Sequence, residues 1–204
     1  MIRGAPFEAV RTISHAGSEH FTVSCKVARS SNGSTYQEMP DSRTGSTAYI
    51  VIQDAPGKRS ILLDVRRKSY NINELSISSI PEARSPEQLQ RLIERIETQE
   101  PIHGLQDGVN VTTTSLGLRN RDGFIEYGQR RVMERPPASS KLKEQIWETW
   151  WIPALNVQVE QSGFDADNKV AQTTKLTGIR RTEPDPCLFE IPSDYVPSPP
   201  VPSH

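Results

Sequence analysis

Phe21-Thr22-Val23-Ser24-Cys25-Lys26-Val27 alternates apolar and polar residues without a break, and Ser30-Ser31-Asn32-Gly33 follows shortly after. Successive side chains of a strand point to opposite faces, so this stretch reads as a strand with one face buried. Asn-Gly readily takes the positive φ angles of a tight hairpin. The return strand runs from Ser34 to Met39, and Pro6 to Ser14 makes a strand before the pair.

Composition supports the same bias. Val, Ile and Thr together outnumber Ala and Leu nearly two to one, and branching at Cβ suits a pleated surface better than a helix. Further strands follow outward along the chain. Tyr49-Ile50-Val51-Ile52 is apolar on both faces, as a central strand would be. Ala55-Pro56-Gly57-Lys58 turns the chain. Ile61 to Val65 returns, and Ser69 to Ile72 extends the sheet. Strand patterns resume at Gly108–Thr114, Phe124–Met133, Leu142–Ile152, Leu155–Glu160 and Val170–Ile179. Links of hairpin length require antiparallel neighbours.

One helix interrupts the series. Ser85-Pro86-Glu87-Gln88 offers an N-cap, a proline at the first helical position and the Gln of a capping box. Leu89, Leu92, Ile93 and Ile96 then fall on one stripe, and Pro101 stops the helix. Prolines crowd the end of the chain. Val196 to His204 is expected to be extended and mobile, since proline donates to no ladder.

The charge balance limits function. The chain has 204 residues, with 24 Lys+Arg against 25 Asp+Glu and a net charge of −1. That is no basic surplus for nucleic acid. Mean hydropathy is −0.57 and no long apolar run occurs, so no transmembrane helix is expected. The first residues carry no apolar h-region. On that reading the chain stays in the cytoplasm or its export signal lies upstream.

Candidate chemistry is sparse. The histidines His15, His20, His103 and His204 lack metal-ligand spacing, and no cofactor motif occurs. Cys25 and Cys187 read as two separate buried thiols, with a disulfide as the alternative. Arg66-Arg67-Lys68 and Arg130-Arg131 read as solvated strand faces, with anion binding as the alternative. The tryptophans Trp147, Trp150 and Trp151 stand out. Trp147 and Trp151 share one face of their strand, and Trp150 takes the other with Ile146 and Ile152. They either cover the helix or sheet edge, or form a wall of an apolar ligand groove.

Glu144 to Val157, with its Trp-rich centre, resembles the strand–turn–strand of a set of uncharacterised, usually exported bacterial proteins. The closing Glu183-Pro184-Asp185-Pro186-Cys187-Leu188-Phe189-Glu190-Ile191-Pro192-Ser193-Asp194-Tyr195 resembles their C-terminal clamp. More distantly, the layout is similar to the periplasmic lipoprotein-carrier half-barrel, whose apolar interior holds acyl chains.

The fold expected is mainly β: a curved antiparallel sheet or open half-barrel with one amphipathic helix, about residues 85–99, on its concave face. Residues 1–195 form a single β-rich domain and 196–204 a flexible tail. Within the clamp, Phe189 should enter the core and Tyr195 should cover its rim. The resemblance implies a non-catalytic envelope protein, periplasmic or secreted, binding a lipid, lipoprotein or other apolar ligand in the concave face. A protein-interaction module without a small ligand is the alternative. No cofactor, metal or nucleic acid is expected, and the oligomeric state is left open.

Overall fold

The computed structural model describes residues 2–16, 21–76, 81–106, 108–134, 144–165 and 167–199. The first half carries β1 (Phe7–His15), β2 (Phe21–Arg29), β3 (Thr35–Pro40), β4 (Thr47–Asp54), β5 (Arg59–Asp64) and β6 (Ser69–Glu74). The helix α1 (Pro86–Glu97) follows. Then come β7 (Ile102–Gln106), β8 (Val109–Arg121), β9 (Phe124–Glu134), β10 (Glu144–Ile152), β11 (Val157–Phe164) and β12 (Val170–Arg180). A short 3-10 helix, Pro186–Phe189, precedes β13 (Val196–Pro197).

Among the described residues the hydrogen-bonded order is β13-β6-β5-β4-β3-β2-β1-β12-β11-β10-β9-β8-β7. The order has two ends, so no barrel closes. The protein is therefore mainly β with one helix and an open sheet, as the sequence predicts. The sheet is not wholly antiparallel, because β13 runs parallel to β6, with Val196 opposite Ser69 and Pro197 opposite Tyr70. Val196 N–H donates to the Lys68 carbonyl at 3.0 Å, and Ser198 N–H to that of Tyr70 at 2.8 Å. This corrects the expectation of a tail free from Val196. Alternate residues flanking Pro197 still carry donors, and one proline in a two-residue strand removes no bond that the edge needs. The rest of the tail, from residue 200, lies outside the described residues.

Packing divides the chain into two compact units. The first comprises Met1–Arg11, Val23–Ala83 and Thr177–His204. Its core is Ala28, Tyr36, Ile52, Ile61 and Leu63, with Leu188, Phe189, Ile191 and Tyr195 packed against it. The clamp is thus anchored by side chains, as its prolines require. Phe189 is half-buried, so it caps this core rather than entering it. Cys25 is buried and Cys187 is exposed, both as free thiols. The expectation of two buried thiols fails at Cys187, which starts the turn after Asp185 and donates its backbone N–H to that carboxylate.

The second unit comprises Thr12–Thr22 and Arg84–Leu176. Its framework is β7 to β11. Asp122 and Gly123 turn β8 into β9 with φ of 52° and 79°, the paired positive angles of a two-residue hairpin. The capping box at Ser85 is formed: Gln88 N–H donates to the Ser85 hydroxyl, and Ser85 N–H to the Gln88 side chain at 2.9 Å. Of the apolar stripe only Ile96 is buried, while Leu89, Leu92 and Ile93 are half-covered. β7 lay outside the strand expectations. Its five residues Ile102-His103-Gly104-Leu105-Gln106 are all exposed and lack the alternation that marks a half-buried strand.

Candidate functional site

The register of β8, β9, β10 and β11 assigns each side chain to one of two faces. Trp147 lies opposite Arg131 and Gly163; Thr149 opposite Gln129 and Gln161; Trp151 opposite Tyr127 and Gln158. These share one face. Trp150 lies opposite Gly128 and Glu160, on the other. Val159 is the extra residue where the β10–β11 register shifts, and it is buried. The expectation that Trp147 and Trp151 share a face, against Trp150, is met.

The first face is hollowed into a groove of about 470 Å³, within the range typical of small-molecule sites. Its apolar wall is Ile102, Leu105, Val111 and Trp151. Four amide side chains (Gln106, Gln129, Gln158, Gln161) and the hydroxyls of Thr113 and Thr149 line the rest. Among the described residues, the single charged residue in the lining is Arg131. Its guanidinium donates to the Gln106 amide oxygen. The helix lies over this same face. Ser115, which pairs with Gln129, donates its hydroxyl to the Ile96 carbonyl at 3.5 Å. Tyr127 has its phenol pushed up by burial, against the lowering effect of Arg84 and Arg95 beside it.

The three tryptophans therefore do different things. A Cβ on Gly163 would sit 2.6 Å from the Trp147 ring, and a Cβ on Gly128 would sit 2.8 Å from that of Trp150. Both indoles lie flat across a cross-strand glycine, filling the space a missing side chain leaves. Trp151 has no such glycine and presents its ring to the groove. Only Trp151 of the trio lines the groove. Sequence reasoning missed Arg131 and the glutamines as groove residues. The signal was alternation in β9, where Tyr127, Gln129, Arg131 and Met133 fall on one face.

The second face holds an ion network. Arg119 reaches Glu126 at 2.8 Å and Glu160 at 2.7 Å, and Arg121 reaches the same two carboxylates at 2.9 and 2.7 Å. Lys175 approaches Glu160 at 3.5 Å. The Arg119 guanidinium stacks 3.7 Å over the Trp150 ring. Burial pushes the Glu160 carboxyl upward, but hydrogen bonds from Arg119 and Arg121 outweigh it and hold the group below its ordinary value. Arg130, next to Arg131 in sequence, is paired with Glu148 at 2.9 Å on this face. Among the described residues, no cluster of three or more His, Cys, Asp or Glu is placed to hold a metal ion. No helix among them is long and apolar enough to cross a membrane.

A second hollow of about 720 Å³ lies in the first unit, between Tyr49 and Leu62 and the strand at Val196–Pro197. Its charged residues Asp64 and Arg67 face each other at 3.8 Å.

No family model matches the sequence, and no curated protein does; the resemblance read in the closing clamp has no support there. Solved structures do match. The chain is similar to an uncharacterized conserved protein from Thermus thermophilus, at 12% identity and a TM-score of 0.51, over 95% of this chain and 90% of that one. A LolA superfamily protein from Nitrosomonas europaea matches at 8% identity and a TM-score of 0.32, over 93% and 92% of the two chains. MucB, solved in complex with MucA(peri), matches at 9% identity and 0.39, over 94% of this chain and 56% of that one. The first of these shows a shared fold.

Proposed function

We propose that this chain is a non-catalytic binding protein of the cell envelope that holds an amphiphilic ligand in the groove over β7 to β11. The observation that carries the reading is the lining of that groove. A Trp ring and three aliphatic side chains stand beside amides, hydroxyls and one guanidinium, the mixture that orients a ligand with an apolar body and a polar end. Catalysis has less support, because the buried carboxylate Glu126 and its neighbour Glu160 are tied to arginines on the far face, away from the groove. The hollow in the first unit is more apolar, but its two charges satisfy each other.

Native mass spectrometry of protein purified from its own host tests the reading. An added mass of a lipid-like molecule, lost in Trp151→Ala, supports it. A clean polypeptide mass in both overturns it. Cell fractionation checks the compartment. A second reading, an interaction module, is favoured by β7. This edge strand is exposed throughout, with Leu105 at 73% and Ile102 at 54% exposure, and its outer backbone edge, unpaired among the described residues, fits addition of a further strand.

A further inference from the structure

Arg131 differs from the other arginines of β8 and β9. Arg119, Arg121 and Arg130 each form ion pairs with carboxylates on the far face. Arg131 points into the groove, and among the described residues no carboxylate pairs with it. Its partner is the neutral Gln106 amide oxygen, and among the described residues no acidic residue lines the groove. A guanidinium presents a planar fork of donors that matches a phosphate or carboxylate. Gln129, the next groove residue along the same strand, brings an amide N–H₂ donor to the same wall. Trp151 lies four residues beyond the residue opposite Arg131 in β10, about 13 Å along the strand. Ile102 lies opposite Thr113, itself opposite Arg131, and Val111 lies one groove position further from Trp151, so apolar side chains flank the guanidinium at its own end and Trp151 supplies another at the far end.

We propose that the groove selects a single-chain amphiphile with an anionic head, phosphate or carboxylate, anchored by Arg131, with its chain laid along the apolar side chains of the groove wall. This rests on the reading of the groove as a ligand site and adds the class of head group.

Calorimetric titration of the full chain with dodecyl phosphate, dodecyl maltoside and inorganic phosphate, each below its aggregation limit, tests it. Dodecyl phosphate should bind at least about tenfold more tightly than the neutral maltoside, a difference of about 1.4 kcal/mol. Arg131→Gln should remove that advantage, with an unaltered thermal melt. Arg130→Gln, on the far face, should keep it. Inorganic phosphate should bind far more weakly than dodecyl phosphate. Equal binding of the two amphiphiles to the unmutated chain overturns the head-group inference and leaves the ligand groove standing. Inorganic phosphate binding as tightly as dodecyl phosphate shows a free-anion site and also overturns it. Binding of neither amphiphile overturns both readings.

Discussion

The two faces of β8 to β11 use the same residue types to opposite ends. On one face Arg119 and Arg121 meet Glu126 and Glu160 in a network that satisfies both carboxylates, with Trp150 stacked beneath. On the other, Arg131 meets only an amide, and Trp151 stands open to the groove. The first arrangement is closed: each charge has its counter-charge, and removing one strands the others. The second is unfinished in a way that an anionic, partly apolar ligand would complete. Charge pairing thus separates a face that holds the sheet together from the face proposed to hold a ligand.

The largest effect should come from the closed face. Glu126 is 2% exposed and takes a hydrogen bond from each arginine. Glu126→Ala leaves two guanidinium groups competing for Glu160. The cost should be about 3 kcal/mol, the low end for breaking a buried pair, because both arginines remain partly solvated. A denaturant melt showing less than about 1 kcal/mol would erase the contrast between the faces.

Next come the glycines under the indoles. Gly128→Ala and Gly163→Ala each force a methyl group to within 3 Å of a Trp ring, and overpacking of this kind costs about 1–3 kcal/mol. Because the two glycines lie under different faces, similar losses at both would show that Trp147 and Trp150 serve packing alike. A loss confined to one would assign the other indole a different task.

Acid sharpens the comparison further. Hydrogen bonds from Arg119 and Arg121 prevail over burial and lower the Glu160 carboxyl, so its contribution to stability is present above the unfolded-state value of about 4.3. It is lost as pH falls through the lower folded-state value. Stability measured from pH 7 downward should therefore decline below about pH 4.3, and Glu160→Gln should flatten that part of the decline. An unchanged slope in the variant would place the acid-sensitive group elsewhere.

The smallest effect belongs to the open face. Arg131→Gln removes no ion pair among the described residues and should shift stability by less than about 0.5 kcal/mol while altering ligand preference. A loss as large as that of Glu126→Ala would show that Arg131 is a structural residue.

Alternation at Phe21–Val27 and the Ser85 capping box are local signals, and each predicted its element because the physics behind it acts over a few residues. The opposed faces of Trp147 and Trp150 were likewise legible, since side-chain direction in a strand follows from parity alone. The task of each indole was not. Whether a ring covers a glycine or faces a groove depends on what lies opposite in β9 and β11, and register is set by pairing between segments distant in sequence. β7 and β13 escaped for a related reason: both are edge elements with little buried surface, so neither carries a strong hydrophobic period.

The sequence by itself determined a β-rich chain with one capped amphipathic helix, a balanced charge and an anchored C-terminal segment, because propensity, parity and capping are written in neighbouring residues. Only the tertiary structure decided that Arg130 and Arg131, adjacent in sequence, have opposite fates. One step along a strand turns a side chain to the other face. There Arg130 meets Glu148, while Arg131 enters a groove whose described lining residues include no carboxylate.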